Sequence, residues 1–287
     1  MFLKYVTTAT PTIAQVIADL AALASGASIS SLSLSCDKVN SQIIANTDAP
    51  GWTLADAAGP SSSRVLTAKD ASNVDKYLAL VPTGTTAIYS SIFDTYNATT
   101  HTATNFVAAN SQLAFSTTQV NTYFMLVNQK HLIISDTIGS ITIGSIEFSR
   151  EIDFLSNPAY PAHANIGYNG SVQQALTFAK MKKQNGSGDV LAGAGGQNVG
   201  GLMTISMFNG SAIPQAPYRD AGDAQYLPML PFYIGANIAS YGSVPFGKVD
   251  DAYLTAMYGA AYDTVLIGAD TYVVILISGG RVLFKMA

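Results

Sequence analysis

The sequence predicts a mainly β protein: antiparallel β-sandwich or barrel-like domains, with one N-terminal amphipathic helix and few short helices. Residues 28–154 alternate between apolar and polar side chains, and glycine, proline, asparagine and aspartate separate the alternating runs. The chain has only two glutamates, which favour helices, against sixteen aspartates, which are enriched at turns. A clear helical spacing of apolar residues occurs near the N-terminus.

The first 26 residues predict a short strand at 2–8 and then this helix. Thr12 and Gln15 stand at the spacing of a capping box, and Gly26 marks the C-terminal stop. The alanine-rich face of the helix favours ordinary packing within the domain over contact with another chain. The apolar residues that recur every three or four positions are Ile13, Val16, Ile17, Leu20 and Leu23.

Strands follow one another after the helix, and the first of them places Cys36 on its apolar side as a buried residue rather than a nucleophile. The step from Val127 to His131 predicts a tight hairpin, with His131 hydrogen-bonded at a strand edge. Gly139 and Gly144 allow the next strand to bend or bulge. The predicted strands lie near 29–36, 41–45, 64–68, 76–81, 85–93, 104–108, 112–116, 121–127, 130–135, 138–143 and 145–154.

A second segment begins near Ser156, because the sequence from Asn157 to Pro161 interrupts regular structure. We therefore expect two β-rich domains, 1–155 with the helix and 156–287 with a glycine-rich loop. The second segment predicts an Asn169-Gly170 turn, a helix or strand at 172–183, a hairpin turn at Asn209-Gly210, a loop at 213–225, a short helix at 250–258 capped by Asp250-Asp251, and strands at 202–208, 229–234, 264–268, 271–277 and 281–285.

The composition is unusual for a protein surface. Charged residues make up 11% of the 287 residues, whereas a typical domain carries roughly a quarter. Mean hydropathy is +0.26. Because few residues are charged, electrostatic repulsion opposes self-association only weakly. This balance predicts a protein that works inside an assembly.

Several partner classes fit the sequence poorly. The net charge is −4, and the one basic cluster, Lys180 with Lys182 and Lys183, fits a solvated surface better than a nucleic-acid site. The most apolar run, 264–278, is interrupted by Gly268 and Asp270, so we expect no membrane span. The N-terminus does not resemble a secretion signal, which predicts synthesis in a reducing cytoplasm.

No group of residues has the spacing of a catalytic, cofactor or metal site, so we expect none of the three and no small-molecule substrate. The three histidines, His101, His131 and His163, are scattered, and His163 lies in a proline-rich loop. The glycines at 193–201 lack the spacing of a phosphate-binding loop. The acidic group Glu147, Glu151 and Asp153 fits a solvated or subunit-facing strip better than a glycosidase pair.

Short runs in both halves of the chain resemble a group of virion structural proteins from tailed bacteriophages. In the first half these runs are Gly51–Leu54, Arg64–Ala68, Lys76–Leu80 and His131–Ser135. In the second half they are Leu227-Pro228 through Ile234, the loop Gly242–Lys248 and Ile267–Val274. The resemblance covers most of the chain, but none of its motifs is a chemical signature.

The resemblance implies a non-enzymatic particle subunit of the tail, baseplate or neck, made in the bacterial host cytoplasm and located in the virion. Its partners would be copies of itself and neighbouring virion proteins. Loop aromatics are the candidate interface residues: Tyr160, Tyr218, Tyr241 and Phe246. The alternatives are a glycan- or receptor-binding module, in which loop tyrosines and Trp52 stack on sugars, a capsid decoration protein, and a glycosidase-like particle enzyme.

Overall fold

A computed structural model shows a mainly β protein with one α-helix near the N-terminus, as the sequence predicts. The structure describes residues 1–45, 50–70, 73–93, 95–104, 107–108, 113–137, 141–145, 163–169, 172–182, 189–193, 203–207, 230–238, 242–255, 260, 262–277 and 280–286. Within 163–250 this description covers strand placement and pairing.

The helix and the first strands follow the predicted order closely. Helix α1 spans Ile13–Ala24, and its N-cap Thr12 and Gln15 form the predicted capping box. The strands of the first half are β1 Phe2–Val6, β2 Gln42–Ala45, β3 Thr53–Asp56, β4 Arg64–Lys69, β5 Asp75–Thr83, β6 Ala87–Phe93, β7 Thr95–Asn97, β8 Thr102–Thr104, β9 Val107–Ala108, β10 Leu113–Ala114, β11 Thr122–Val127, β12 His131–Asp136 and β13 Ile141–Ser145.

The second half of the described chain consists of strands. They are β14 His163–Asn169, β15 Val172–Lys182, β16 Asp189–Gly193, β17 Met203–Met207, β18 Leu230–Ile238, β19 Gly242–Thr255, β20 Thr264–Ile267, β21 Asp270–Ile277 and β22 Gly280–Lys285. The ambiguous segment at 172–183 is therefore a strand. The predicted strand at 145–154 lies outside the described residues apart from Ser145.

Three antiparallel sheets and one ribbon organise these strands. The eight-stranded sheet has the order β16-β15-β14-β13-β12-β11-β1-β2. The N-terminal six-stranded sheet has the order β10-β6-β5-β4-β3, with β9 also paired to β6. The C-terminal six-stranded sheet has the order β17-β18-β19-β22-β21-β20, and β7 pairs with β8 as a separate ribbon. Strand β14 pairs with β13, so the pairing continues across the expected boundary between 1–155 and 156–287, which stays a prediction.

The largest core lies between the eight-stranded sheet and the N-terminal six-stranded sheet. Inward residues of β1, β11 and β12 meet inward residues of β4, β5 and β6, and helix α1 packs into the same core. Of the alanine-rich face of this helix, Ala21 is buried in the core and Ala22 packs against it, while Ala14 and Ala18 are half-exposed. Apolar burial of this kind is the main driving force of folding, at roughly 25 cal/mol per Å².

Strands β11 and β12 are buried on both faces. Tyr123, Met125 and Val127 face the main core, while Phe124 and Leu126, of opposite parity, are also buried. On that opposite face, Tyr262 stacks on Phe124 with ring centroids 3.6 Å apart, and its hydroxyl donates to the backbone carbonyl of Asp136. This burial explains why both strands read as continuous apolar runs rather than as alternating ones.

The predicted strand at 29–36 is wrong. Residues Ile29–Ser31 form a 3-10 helix, and Cys36 makes only an isolated bridge to Thr7. Serine side chains in this run hydrogen-bond to nearby groups, as Ser31 does to the carbonyl of Ser28 at 2.8 Å, and such local bonds compete with a strand ladder. Cys36 is nevertheless buried, as expected, and burial raises the pKa of its thiol.

The predicted helix at 250–258, with its Asp250-Asp251 cap, is also wrong. Strand β19 runs through both aspartates to Thr255, pairing with β18 and then with β22. The β18–β19 register shifts between Pro231 and Tyr233, and Asp251 has a φ of 58°. Aspartate tolerates the left-handed region better than most residues, so it fits this irregular ladder.

Three smaller expectations also change, whereas the predicted Asn209-Gly210 turn lies outside the described residues. His131 lies on an interior strand rather than an edge and is buried. His163 begins strand β14 rather than lying in a loop. Gly144 makes no bulge, because β12 and β13 pair in regular register; instead it lies against Leu78 of the facing sheet.

Candidate functional site

A buried carboxylate, Asp56 at the end of β3, forms the first polar cluster of the described structure. It accepts hydrogen bonds from the Tyr96 hydroxyl at 2.6 Å and the Ala58 amide at 2.8 Å. Its Oδ2 atom also lies 2.7 Å from Nδ1 of His101. Tyr96 and His101 belong to the β7–β8 ribbon, so these bonds fasten the ribbon to the edge of the N-terminal six-stranded sheet.

The ionised form of Asp56 is favoured by these contacts. Burial by itself raises the pKa of the carboxyl, but the hydrogen bonds from Tyr96, Ala58 and His101 outweigh it and hold the pKa below its ordinary value. Burial and the bond to Asp56 raise the pKa of Tyr96. An Asp–His pair does acid–base chemistry only beside a reacting group, and the bonds of His101 go to Asp56 and Tyr96. The geometry supports a structural role, in which Asp56 holds the β7–β8 ribbon to the sheet edge.

A second buried carboxylate, Asp19 of helix α1, is bonded to three hydroxyls. Tyr5 and Ser33 each donate to it at 2.7 Å, and Ser35 donates to it as well. Burial raises the pKa of Tyr5, so its hydroxyl stays a donor. These bonds tie α1 to β1 and to the segment that replaces the predicted strand at 29–36, so this cluster is also structural.

Large aliphatic side chains exposed to water are the second kind of candidate feature. Leu34 and Val39 are 87% and 92% exposed, and Val120 is also exposed. Each of the three lies one or two positions from a residue that is bonded near the end of β1. Ser35 accepts from the Thr8 amide, Asp37 donates to the Val6 carbonyl, and Asn121 accepts from the Thr7 amide.

A further exposed aliphatic residue lies on a sheet edge. Leu266 of β20 is 71% exposed, while its neighbours Val265 and Ile267 point to the other face and pack against Tyr272, Val274 and Leu283. Strand β20 ends the C-terminal six-stranded sheet. The signal for Leu266 in the sequence is the run Thr-Val-Leu-Ile, because four successive strand-forming residues leave an apolar side chain on each face of the strand.

The structure describes one of the four sequence-predicted interface residues, Phe246. Tyr160, Tyr218 and Tyr241 lie outside the described residues. Phe246 lies in strand β19 and not in a loop, which corrects the loop predicted at 242–248. The acidic residues Glu147, Glu151 and Asp153 and most of the glycine-rich run at 193–201 also lie outside the described residues.

Trp52 is unavailable for stacking on a ligand. Its side chain is buried, and Nε1 donates to the carbonyl of Asn128 at 2.8 Å in the β11–β12 turn. The glycan-binding alternative therefore loses the one aromatic residue proposed for it that the structure describes.

No protein-family model matches this chain, and no curated protein matches its sequence. Within the part of the chain that the structure describes, no three His, Cys, Asp or Glu side chains are grouped to hold a metal ion. Among the same residues, no helix has both the length and the apolar character of a membrane span.

Proposed function

We propose that this chain is a non-enzymatic structural subunit of a tailed-phage virion, located in the tail, baseplate or neck. It works by repeated contacts with copies of itself and with neighbouring virion proteins. The observation that carries the proposal is the combination of a weakly charged chain with the exposed aliphatic side chains of Leu34, Val39 and Leu266. Exposed aliphatic groups on a surface poor in charge favour burial against other proteins.

The two polar clusters support a structural role. Asp56 and Asp19 are both bonded to groups that fasten one element to another. Strands buried on both faces make the sheet layers resistant to deformation, since packed interiors have low compressibility. A rigid body with apolar contact points suits repeated assembly.

The test is to separate a lysate of phage-infected cells by density and to find this chain by mass spectrometry. We expect it in the fraction of intact particles, where it stays after a wash in high salt. A phage protease or another non-particle protein made in the same infection serves as the control and should stay at the top of the gradient. Confinement of this chain to the soluble fraction would overturn the proposal.

A further inference from the structure

Strand β20 is an edge strand of the C-terminal six-stranded sheet. Among the described strands it pairs with β21 alone, from Thr264 opposite Val273 to Ile267 opposite Asp270. Gly268 and Ala269 form the two-residue turn, and Gly268 has a φ of 64°. The closing pair of such a hairpin is hydrogen-bonded, and paired residues alternate along the ladder. The amide and carbonyl groups of Leu266 and Thr264 therefore point away from β21.

This edge lacks the features that protect the other edges. The register of β2 against β1 shifts at Phe2, and the register of β3 against β4 shifts at Leu54, where Asp56 ends the strand. Strands β16 and β17 contact each other, and β10 has only two residues. Strand β20 pairs in regular register and contains no charge and no proline. Open edges of this kind recruit further strands.

We propose that the partner is β20 of a second copy of this chain, paired antiparallel about a two-fold axis perpendicular to the sheet. That axis keeps each face of the sheet continuous, so residues of the same parity must lie opposite each other. The register centred on Leu266 places Leu266 opposite Leu266 of the second copy, and Val265 opposite its Ile267. The assignment deepens the proposed function and rests on it.

The lack of charge in β20 favours an uncharged partner strand, and the position of Asp263 favours one register. The neutral run of β20 fits a strand that is equally neutral, and its own copy is one. With Leu266 on the axis, Asp263 falls opposite Ala269, beyond the apolar pairs. With Val265 on the axis, Asp263 would fall opposite Ile267 and bring a carboxylate into the apolar ladder. The Leu266-centred register therefore buries the exposed leucine and leaves the carboxylate outside.

A ladder of this length buries less than the roughly 1,600 Å² of a standard interface, so we expect a concentration-dependent dimer. The first test is sedimentation velocity of the purified chain and of Leu266→Lys. Two lysines opposite each other repel, so the dissociation constant should rise about tenfold or more. The matched control, Val74→Lys, places the same charge on an exposed aliphatic residue away from this edge and should dimerise normally. Normal dimerisation of Leu266→Lys would overturn the proposal.

Cross-linking tests the register without depending on a disruptive charge. In a Cys36→Ser background, Val265→Cys and Ile267→Cys are made as separate single variants. Under mild oxidation only their mixture should form a disulfide-linked dimer, because Val265 faces Ile267 of the other copy. Cross-linking of Val265→Cys alone would overturn the register, and no cross-linking in any sample would overturn β20 pairing.

Failure of this inference is distinguishable from failure of the proposed function. If Leu266→Lys leaves the dimer intact while the chain still co-purifies with particles, the virion role stands and β20 is not the contact. If Leu266→Lys abolishes the dimer but the chain is absent from particles, β20 pairing stands and the virion role fails.

Discussion

At the scale of single residues, two buried carboxylates hold separate elements together without a positively charged lysine or arginine beside them. Asp19 accepts hydroxyl donors, and Asp56 accepts a hydroxyl, an amide and an imidazole. A buried carboxylate is tolerable only when its oxygen atoms are hydrogen-bonded. Hydroxyl, amide and imidazole groups therefore supply the hydrogen bonds that these two carboxylates need.

The Asp56 cluster predicts a pH-dependent effect of Tyr96→Phe. A carboxyl whose pKa is lowered by folding stabilises the fold above its unfolded pKa of about 3.9, and this stability is lost as pH falls through the folded pKa. Removing the Tyr96 hydroxyl should therefore cost about 1.5–3 kcal/mol at pH 7, and the cost should decline as pH falls below the ordinary carboxyl pKa of about 3.9. Urea unfolding at a series of decreasing pH values measures the decline.

Asp56→Asn and the double variant complete a double-mutant cycle for this contact. The coupling between positions 56 and 96 should be present at pH 7 and should decline in the same acidic range. A cost of Tyr96→Phe that stays constant across the pH series would contradict an ionised Asp56 as its partner.

At the scale of elements, one tight contact fixes the entry to β3 against the β11–β12 turn. Gly51 has a φ of 74°, and a Cβ atom there would stand 2.8 Å from Cα of Gln129. The neighbouring Trp52 is buried and donates to Asn128 in the same turn. The run Gly51-Trp52 in the sequence therefore marks a packing contact between the two facing sheets.

Gly51→Ala should lower the free energy of unfolding by about 2 kcal/mol or more, because it combines left-handed backbone strain with a collision against main-chain atoms. Gly84→Ala is the matched control: Gly84 has a φ of 57°, but a Cβ there meets nothing within 4 Å. It should cost only about 1–2 kcal/mol. Urea unfolding compares them, and equal losses would show that the Gln129 contact does not matter.

At the scale of the whole molecule, residues near the C-terminus contact the eight-stranded sheet on the face opposite its main core. Tyr262 makes this contact, with its ring parallel to Phe124 within 8° and its hydroxyl bonded to Asp136. The ring and the hydroxyl contribute separately, since aromatic stacking and a hydrogen bond are independent interactions.

Tyr262→Ala should therefore loosen the C-terminal region more than Tyr262→Phe. We expect a loss of about 2–3 kcal/mol for alanine and about 1 kcal/mol for phenylalanine, which keeps the stack. Hydrogen exchange of the amides in 122–127 and 270–277 reports the loosening directly. Equal exchange in the two variants would show that the ring does not join these elements.

Local signals in the sequence were enough to predict the strand-rich class, the helix with its capping box and the β11–β12 hairpin. Each depends on local periodicity, a cap or a turn residue, which neighbouring positions reveal. Strand β19 and the interior position of His131 depend on which distant strands lie alongside.

Only the tertiary structure decided that Trp52 is buried while Leu34 and Leu266 are exposed. It also brought Asp56 and His101 together, although 45 positions separate them. Sequence periodicity assigns a side chain to one face of a strand but does not say what covers that face. Long-range strand pairing determines which elements bury that face. The position of β20 at a sheet edge therefore follows from the strand order of the described sheets and not from local sequence.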